Sequence, residues 1–257
     1  MEIVIISTVA LVTSLLTFFS GFGLGTLLMP VFAIFFPLEQ AIAMTGVVHF
    51  VNNIFKGTLV WKNTDKEVLI KFGIPAIIAS FAGAWLLLSI THLPVLETYT
   101  IGSKSFSITP VKLIISVLLL FFAITELLPF FERLSLSKKR LVLGGLLSGF
   151  FGGLTGIQGA LRSAFLIKAG LSKESYIATG VMIACVVDIT RLSVYASNFV
   201  NSGIAQNTTV LIIATIAAIV GAILGNRLLK KITIETVKYI VAIMLIFISF
   251  ALGSGLI

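Results

Sequence analysis

The sequence predicts an all-α polytopic membrane protein built from two inverted repeats. Each repeat is a glycine-broken re-entrant hairpin followed by three transmembrane helices. Three observations carry this expectation: long apolar runs, two glycine clusters that interrupt matching runs, and a lopsided placement of Lys and Arg.

The chain has 257 residues, 58% hydrophobic and only 11% charged. Soluble domains usually carry about 25% charged residues, so a soluble enzyme or nucleic-acid-binding class is disfavoured. The net charge of +8 fits Lys and Arg gathered in cytoplasmic loops and implies no nucleic acid. The single cysteine, Cys185, excludes an internal disulfide. The first residues carry no basic leader, so the opening run is read as part of the folded protein.

Eight apolar segments lie near 3–36, 40–60, 68–90, 110–130, 140–168, 174–198, 207–229 and 234–256. Several reach the roughly 20 residues needed to cross a hydrocarbon core. The first is interrupted at Gly21, Gly23 and Gly25, with Pro30 after them; the fifth at Gly152, Gly153, Gly156 and Gly159. A shift of 134 residues lays Gly25 on Gly159, Leu27 on Leu161, and Thr45-Gly46-Val47 on Thr179-Gly180-Val181. Two repeats follow, 1–131 and 140–257, joined by a cytoplasmic linker at 132–139. The stretch from Thr91 to Thr109 is the longest connection, a connector or a lid.

Charge decides the orientation. With Lys56, Arg162 and Arg191 taken as embedded, 15 of the 18 basic residues remain. If all eight segments cross, they divide seven to eight. If segments one and five fold back at their glycines, thirteen share one side and only Lys104 and Lys112 lie opposite. That is a strong positive-inside bias. It places both termini outside the cytoplasm. Arms of about 15 residues reach roughly 22 Å, too short for a full crossing.

Charged and amide side chains inside apolar runs are costly in a membrane and often mark a solute path. A broken helix frees N–H groups at the start of its second arm, a natural anion site. Thr26 and Leu27 are expected to open the second arm of hairpin one, and Gln158 to Leu161 that of hairpin two. The expected substrate contacts are Arg162, Gln158, Thr26, Asn52, Asn53, Gly25 and Gly159. Arg162 keeps its charge when buried and offers a planar fork. It could instead snorkel or tie the hairpin together.

Asp188 and Arg191 share a helix face. They form either a self-neutralising ion pair or a coupling residue and a gate, with hydroxyls from Thr179 and Ser193. His49, Asn52, Asn53 and Lys56 make a polar wall on segment two. His49, of a residue type whose unperturbed imidazole titrates near neutrality, and Lys56 join Asp188 and Arg191 as the coupling or gating set. Gly221 and Gly225 read as helix packing. No metal cluster, cofactor motif or hydrolase triad is legible, so neither an enzyme nor a cofactor is expected.

These features together resemble the sulfite exporter TauE/SafE family over nearly the whole chain. The resemblance rests on Gly21 to Pro30 with Ala43-Met44-Thr45-Gly46, and on Gly152 to Ala160 with Ala178-Thr179-Gly180. Gly83-Ala84, Gly221-Ala222 and the basic run from Arg227 to Lys231 add to it. Leu24 and Arg162 depart from the family pattern. The resemblance implies a multi-pass inner-membrane carrier of sulfite-like or small organic anions, with export expected, working by alternating access around a midplane site. A passive anion channel and a non-transport assembly or sensory protein are the alternatives. Lipid surrounds the chain; proton or sodium coupling and a homodimer stay open.

Overall fold

The computed structural model describes residues 1–18, 23–127, 140–199, 204–228 and 234–257. The linker at 132–139 and the break residues Gly21 and Phe22 lie outside them.

The first apolar run is two helices, α1 (Glu2–Leu16) and α2 (Leu24–Phe35). Gly23, at φ 117°, forms the N-cap of α2, a conformation that favours glycine. The second arm thus starts two residues earlier than expected. Next come α3 (Leu38–Val60), a short 3₁₀ turn (Trp61–Asn63) and α4 (Lys66–Thr91). Asp65 caps α4 by accepting from Val68 N at 2.9 Å. A hairpin of β1 (Glu97–Ile101) and β2 (Lys104–Ile108) leads to α5 (Pro110–Leu127).

The fifth run is also broken, into α6 (Leu141–Thr155) and α7 (Gly159–Ile167). Gly156 ends α6 in the left-handed region at φ 79°. The chain continues with α8 (Lys173–Phe199), a 3₁₀ turn (Ile204–Asn207), α9 (Thr208–Leu228) and α10 (Ile234–Gly253).

The helices pair crosswise. α6 packs on α4, and α1 packs on α9. On α6, Gly145, Gly149 and Gly153 lie against the backbone carbonyls of Phe72, Ala76 and Ser80. Both series step by four residues, so one helical ridge seats in the other's groove. A β-carbon at any of the three glycines would collide with the facing backbone. On α9, Gly221 and Gly225 meet Leu11 O and Leu15 O of α1 in the same way. The remaining principal pairs are α5 with α10, α4 with α8, and α3 with α8.

Outside this packing, α4 presents Ile70, Ile74, Ile77, Ile78, Phe81 and Trp85 as one exposed apolar stripe. Such a large unpaired apolar face suits lipid.

Two expectations need correction. Among the described residues, only three helices are long and apolar enough to cross a membrane: Lys66–Thr91, Lys173–Ala196 and Thr208–Arg227. α3 has the length, with 23 residues, but His49, Asn52, Asn53 and Lys56 dilute its hydropathy. The stretch from Thr91 to Thr109 is no plain connector. It holds an antiparallel pair with Tyr99 opposite Phe106, their rings stacked at 5.6 Å. Tyr99 Oη donates to Ser254 O at 2.5 Å, tying the hairpin to the end of α10. Among the described residues, the regular structure is therefore helical apart from one small sheet.

Candidate functional site

The two breaks meet inside the molecule. A β-carbon on Gly25, in the first turn of α2, would lie 3.2 Å from Gly156 O and 3.5 Å from His49 Cδ2. Only glycine permits this approach without displacing a neighbour. Among the described residues, the N-caps of α2 and α7, Gly23 and Gln158, make no side-chain capping hydrogen bond. Both helices thus direct uncapped first-turn N–H groups, and the positive end of a helix dipole, into this region. Thr26 and Gly159 lie in these first turns and are buried.

Asp188 of α8 is the hub. His49 Nδ1 on α3 lies 2.6 Å from Asp188 Oδ2. A carboxylate partner requires that nitrogen to be the donor, leaving Nε2 as the acceptor. Asn53 Nδ2, one turn along α3, stands 3.3 Å from Nε2. Arg191 Nε donates to Asp188 Oδ1 at 3.0 Å, and Arg191 Nη2 approaches the same oxygen at 2.8 Å as an ion pair. Gln158 Nε2, at the second break, donates to Oδ1 at 3.3 Å. Arg162 Nη1 in turn donates to Gln158 Oε1 at 3.2 Å. One connected network thus joins α3, α7 and α8.

This outcome differs from a bare i, i+3 pair. Asp188 and Arg191 do pair, yet the carboxylate also serves His49 and Gln158. Asp188 and Arg191 are 0% exposed. Glycines make room for the arginines. Gly46 faces Arg191 Cζ, 3.3 Å from its would-be β-carbon, and Gly180 faces Arg162 Nε at 3.7 Å. These are the two glycines related by the 134-residue shift.

The other expected residues lie beside the network. Asn52 Oδ1 accepts from Ser14 of α1 at 3.3 Å. Lys56, further along α3, sits over the Phe18 ring at 5.4 Å and is buried. Thr179 and Ser193 are not brought in. Thr179 Oγ1 accepts from Asp65 N at 2.9 Å, and Ser193 is exposed and donates to Thr190 O.

Sequence reasoning missed Tyr195, Ser14 and Ser148. Tyr195 is buried beside Arg191, and its hydroxyl donates to Gly153 O. Ser148 Oγ donates to Gln158 O at 3.1 Å, fixing the break. Four-residue and seven-residue helical spacings from the known polar positions could have flagged Tyr195, but its partner is a distant backbone carbonyl.

Among the described residues, the buried charges here are Lys56, Arg162 and Arg191 against Asp188. With His49 neutral, three cations and one carboxylate leave a net +2. No group of His, Cys, Asp and Glu that could hold a metal occurs among the described residues. A cavity of about 460 Å³ lies elsewhere, at the far end of α2, lined by Phe36, Glu39, Thr91, Thr109 and Lys112 among others.

The family pattern described as sulfite exporter TauE/SafE matches residues 6–252. No curated protein and no solved structure matches the chain. With a match over nearly its full length and several long apolar helices, the chain belongs to the sulfite exporter TauE/SafE family, whose members are membrane transporters and not enzymes.

Proposed function

We propose that this transporter is a secondary carrier of sulfite-like or small organic anions, working by alternating access at the junction of the two helix breaks. The observation that carries the proposal is the buried net charge of +2 placed beside two uncapped helix N-termini. Burying excess positive charge is expensive, and an anion at this point offsets the cost. Broken helices whose N-termini face anionic groups recur in secondary transporters.

The two breaks are the folds of two re-entrant hairpins, and the chain is an inverted repeat of 1–131 and 140–257. The crosswise packing supports this: α1 on α9 and α6 on α4 exchange into each other when the halves are swapped. Both termini lie outside the cytoplasm of the inner membrane, as the thirteen-to-two distribution of basic residues favours.

In this scheme Arg162 and Gln158 attract and orient the anion from the α7 side. Thr26, Gly25 and Gly159 present the helix ends, and Asn52 and Asn53 line the α3 wall. His49 and Asp188 form the coupling pair, since a proton on His49 Nε2 would place a second cation, beside Arg191, in direct contact with Asp188. Lys56 stands toward the cytoplasmic end of α3 and draws anions inward. Burial of the whole cluster favours a carrier over an open pore. Export is the favoured direction because the membrane potential drives anions outward.

The test is uptake of labelled sulfite into proteoliposomes, with and without imposed proton and sodium gradients. Saturable flux that responds to one gradient is expected, and Arg162→Ala is expected to abolish it with normal expression. Linear, non-saturating flux would instead identify a channel. Unchanged kinetics in Arg162→Ala would remove that residue from the site.

A further inference from the structure

Arg191 spends only one edge of its guanidinium. Nε and Nη2 both turn toward the single oxygen Asp188 Oδ1, yet among the described residues neither Nη1 nor Nη2 has an acceptor in full hydrogen-bond geometry, the Tyr195 hydroxyl being the other polar group beside the guanidinium. The side chain is 0% exposed, and a buried guanidinium is ordinarily satisfied through most of its five donors. Here the outer edge is left over. Arg162, by contrast, gives Nη1 to Gln158 Oε1.

The guanidinium lies against backbone that carries no side chain. A β-carbon on Gly156 would sit 2.7 Å from Nη1, and one on Gly46 would sit 3.3 Å from Cζ and 3.5 Å from Nη2. Gly156 O also borders Gly25, at the uncapped start of α2. Thr45, next to Gly46, is fully buried and its hydroxyl has no partner. Asn52 Nδ2, two turns along the same helix, is a second unspent buried donor. Among the described residues, the outer edge of Arg191, the Thr45 hydroxyl and Asn52 Nδ2 thus have no hydrogen-bond partner.

We propose that the Nη1–Nη2 edge of Arg191 is the docking fork for the substrate's oxyanion head, making Arg191 the specificity-determining residue of the carrier. The inference rests on the transport reading above and assigns its central contact to Arg191. A fork with two parallel N–H groups matches a head with two coplanar oxygens, as in sulfite, a sulfonate or a carboxylate. A spherical halide has no pair of oxygens to match the two N–H groups and gains less from the fork. Asp188 holds the opposite edge and fixes the fork's direction, while His49 and Gln158 hold Asp188.

The experiment measures initial rates of labelled sulfite uptake in proteoliposomes, with unlabelled methanesulfonate, acetate and chloride as competitors. Three proteins are compared: wild type, Arg191→Lys, and the charge-neutral double variant Asp188→Asn/Arg191→Gln. Lysine keeps the charge beside Asp188 and loses the fork. For Arg191→Lys a rise in KM of tenfold or more is expected, with Vmax changed less. Discrimination between the oxyanions and chloride should fall by a similar factor. The double variant, which removes both members of the Asp188–Arg191 pair, should bind sulfite no better than Arg191→Lys. A KM within twofold of wild type in either variant, with the competitor ranking intact, overturns the assignment of Arg191 alone. Absence of uptake of any of these anions by the wild type overturns the transport reading and this inference together.

Discussion

Replacing Asp188 by asparagine keeps the side chain's shape and removes the one carboxylate of the buried network. Two unit charges about 4 Å apart attract by about 4 kcal/mol at an effective dielectric near 20, and the closest approach of Asp188 to Arg191 is 2.8 Å. Desolvation offsets much of that attraction while the pair is whole. Once the carboxylate is gone, Arg191 is left buried and unpaired at 0% exposure. Breaking such a pair from one side costs about 3–5 kcal/mol, whereas removing both charges is often close to neutral. Asp188→Asn should therefore lose about 3 kcal/mol or more, and Asp188→Asn/Arg191→Gln should regain most of it. The assay is unfolding in mixed micelles of increasing SDS fraction, followed by circular dichroism. A single variant as stable as wild type, or a double variant whose loss equals the sum of the two singles, would refute the description of Asp188 as the hub.

Three further outcomes follow from the same geometry. Gly149→Ala drives a β-carbon into the Ala76 backbone and should cost about 2–3 kcal/mol by overpacking. Gly73→Ala, with its nearest neighbour 3.7 Å away on a side chain, should cost nothing and gain up to about 1 kcal/mol of helix propensity; the same SDS titration compares them. In a background lacking Cys185, Thr64→Cys and Leu136→Cys should react with an impermeant maleimide only from the cytoplasmic side, and Ser105→Cys only from outside. His49→Gln should retain sulfite binding, measured by thermal shift, but lose any stimulation of uptake by a pH gradient.

Much of the helical plan was legible because glycine clusters break helices for backbone reasons that need no tertiary context. Gly23 and Gly156, both at positive φ, mark the ends of arms where the sequence placed the interruptions. The hub was not legible. His49 and Asp188 are 139 residues apart, and no local spacing announces that α3 will lie on α8. Asp188 and Arg191, read alone, look like a pair that satisfies itself, and the carboxylate's other two partners come from different helices. The glycines of α6 had a second role that the first concealed. Gly145, Gly149 and Gly153 recur every four residues, a packing stripe hidden by its closeness to the break. The β hairpin had a visible signal in the alternating Thr98, Tyr99, Thr100 and Ile101 before Gly102, but the surrounding apolar helices drew the stretch into a connector.

The most direct measurement is the position of a bound, electron-dense oxyanion. Selenite replaces sulfite with a heavier centre at nearly the same shape, so a structure of the protein in lipid nanodiscs with selenite locates it. The account predicts density at the junction of the two helix breaks, within hydrogen-bond reach of Arg191 Nη1. Selenite found only elsewhere, such as the cavity beside Glu39 and Lys112, in a protein that still transports sulfite would contradict it.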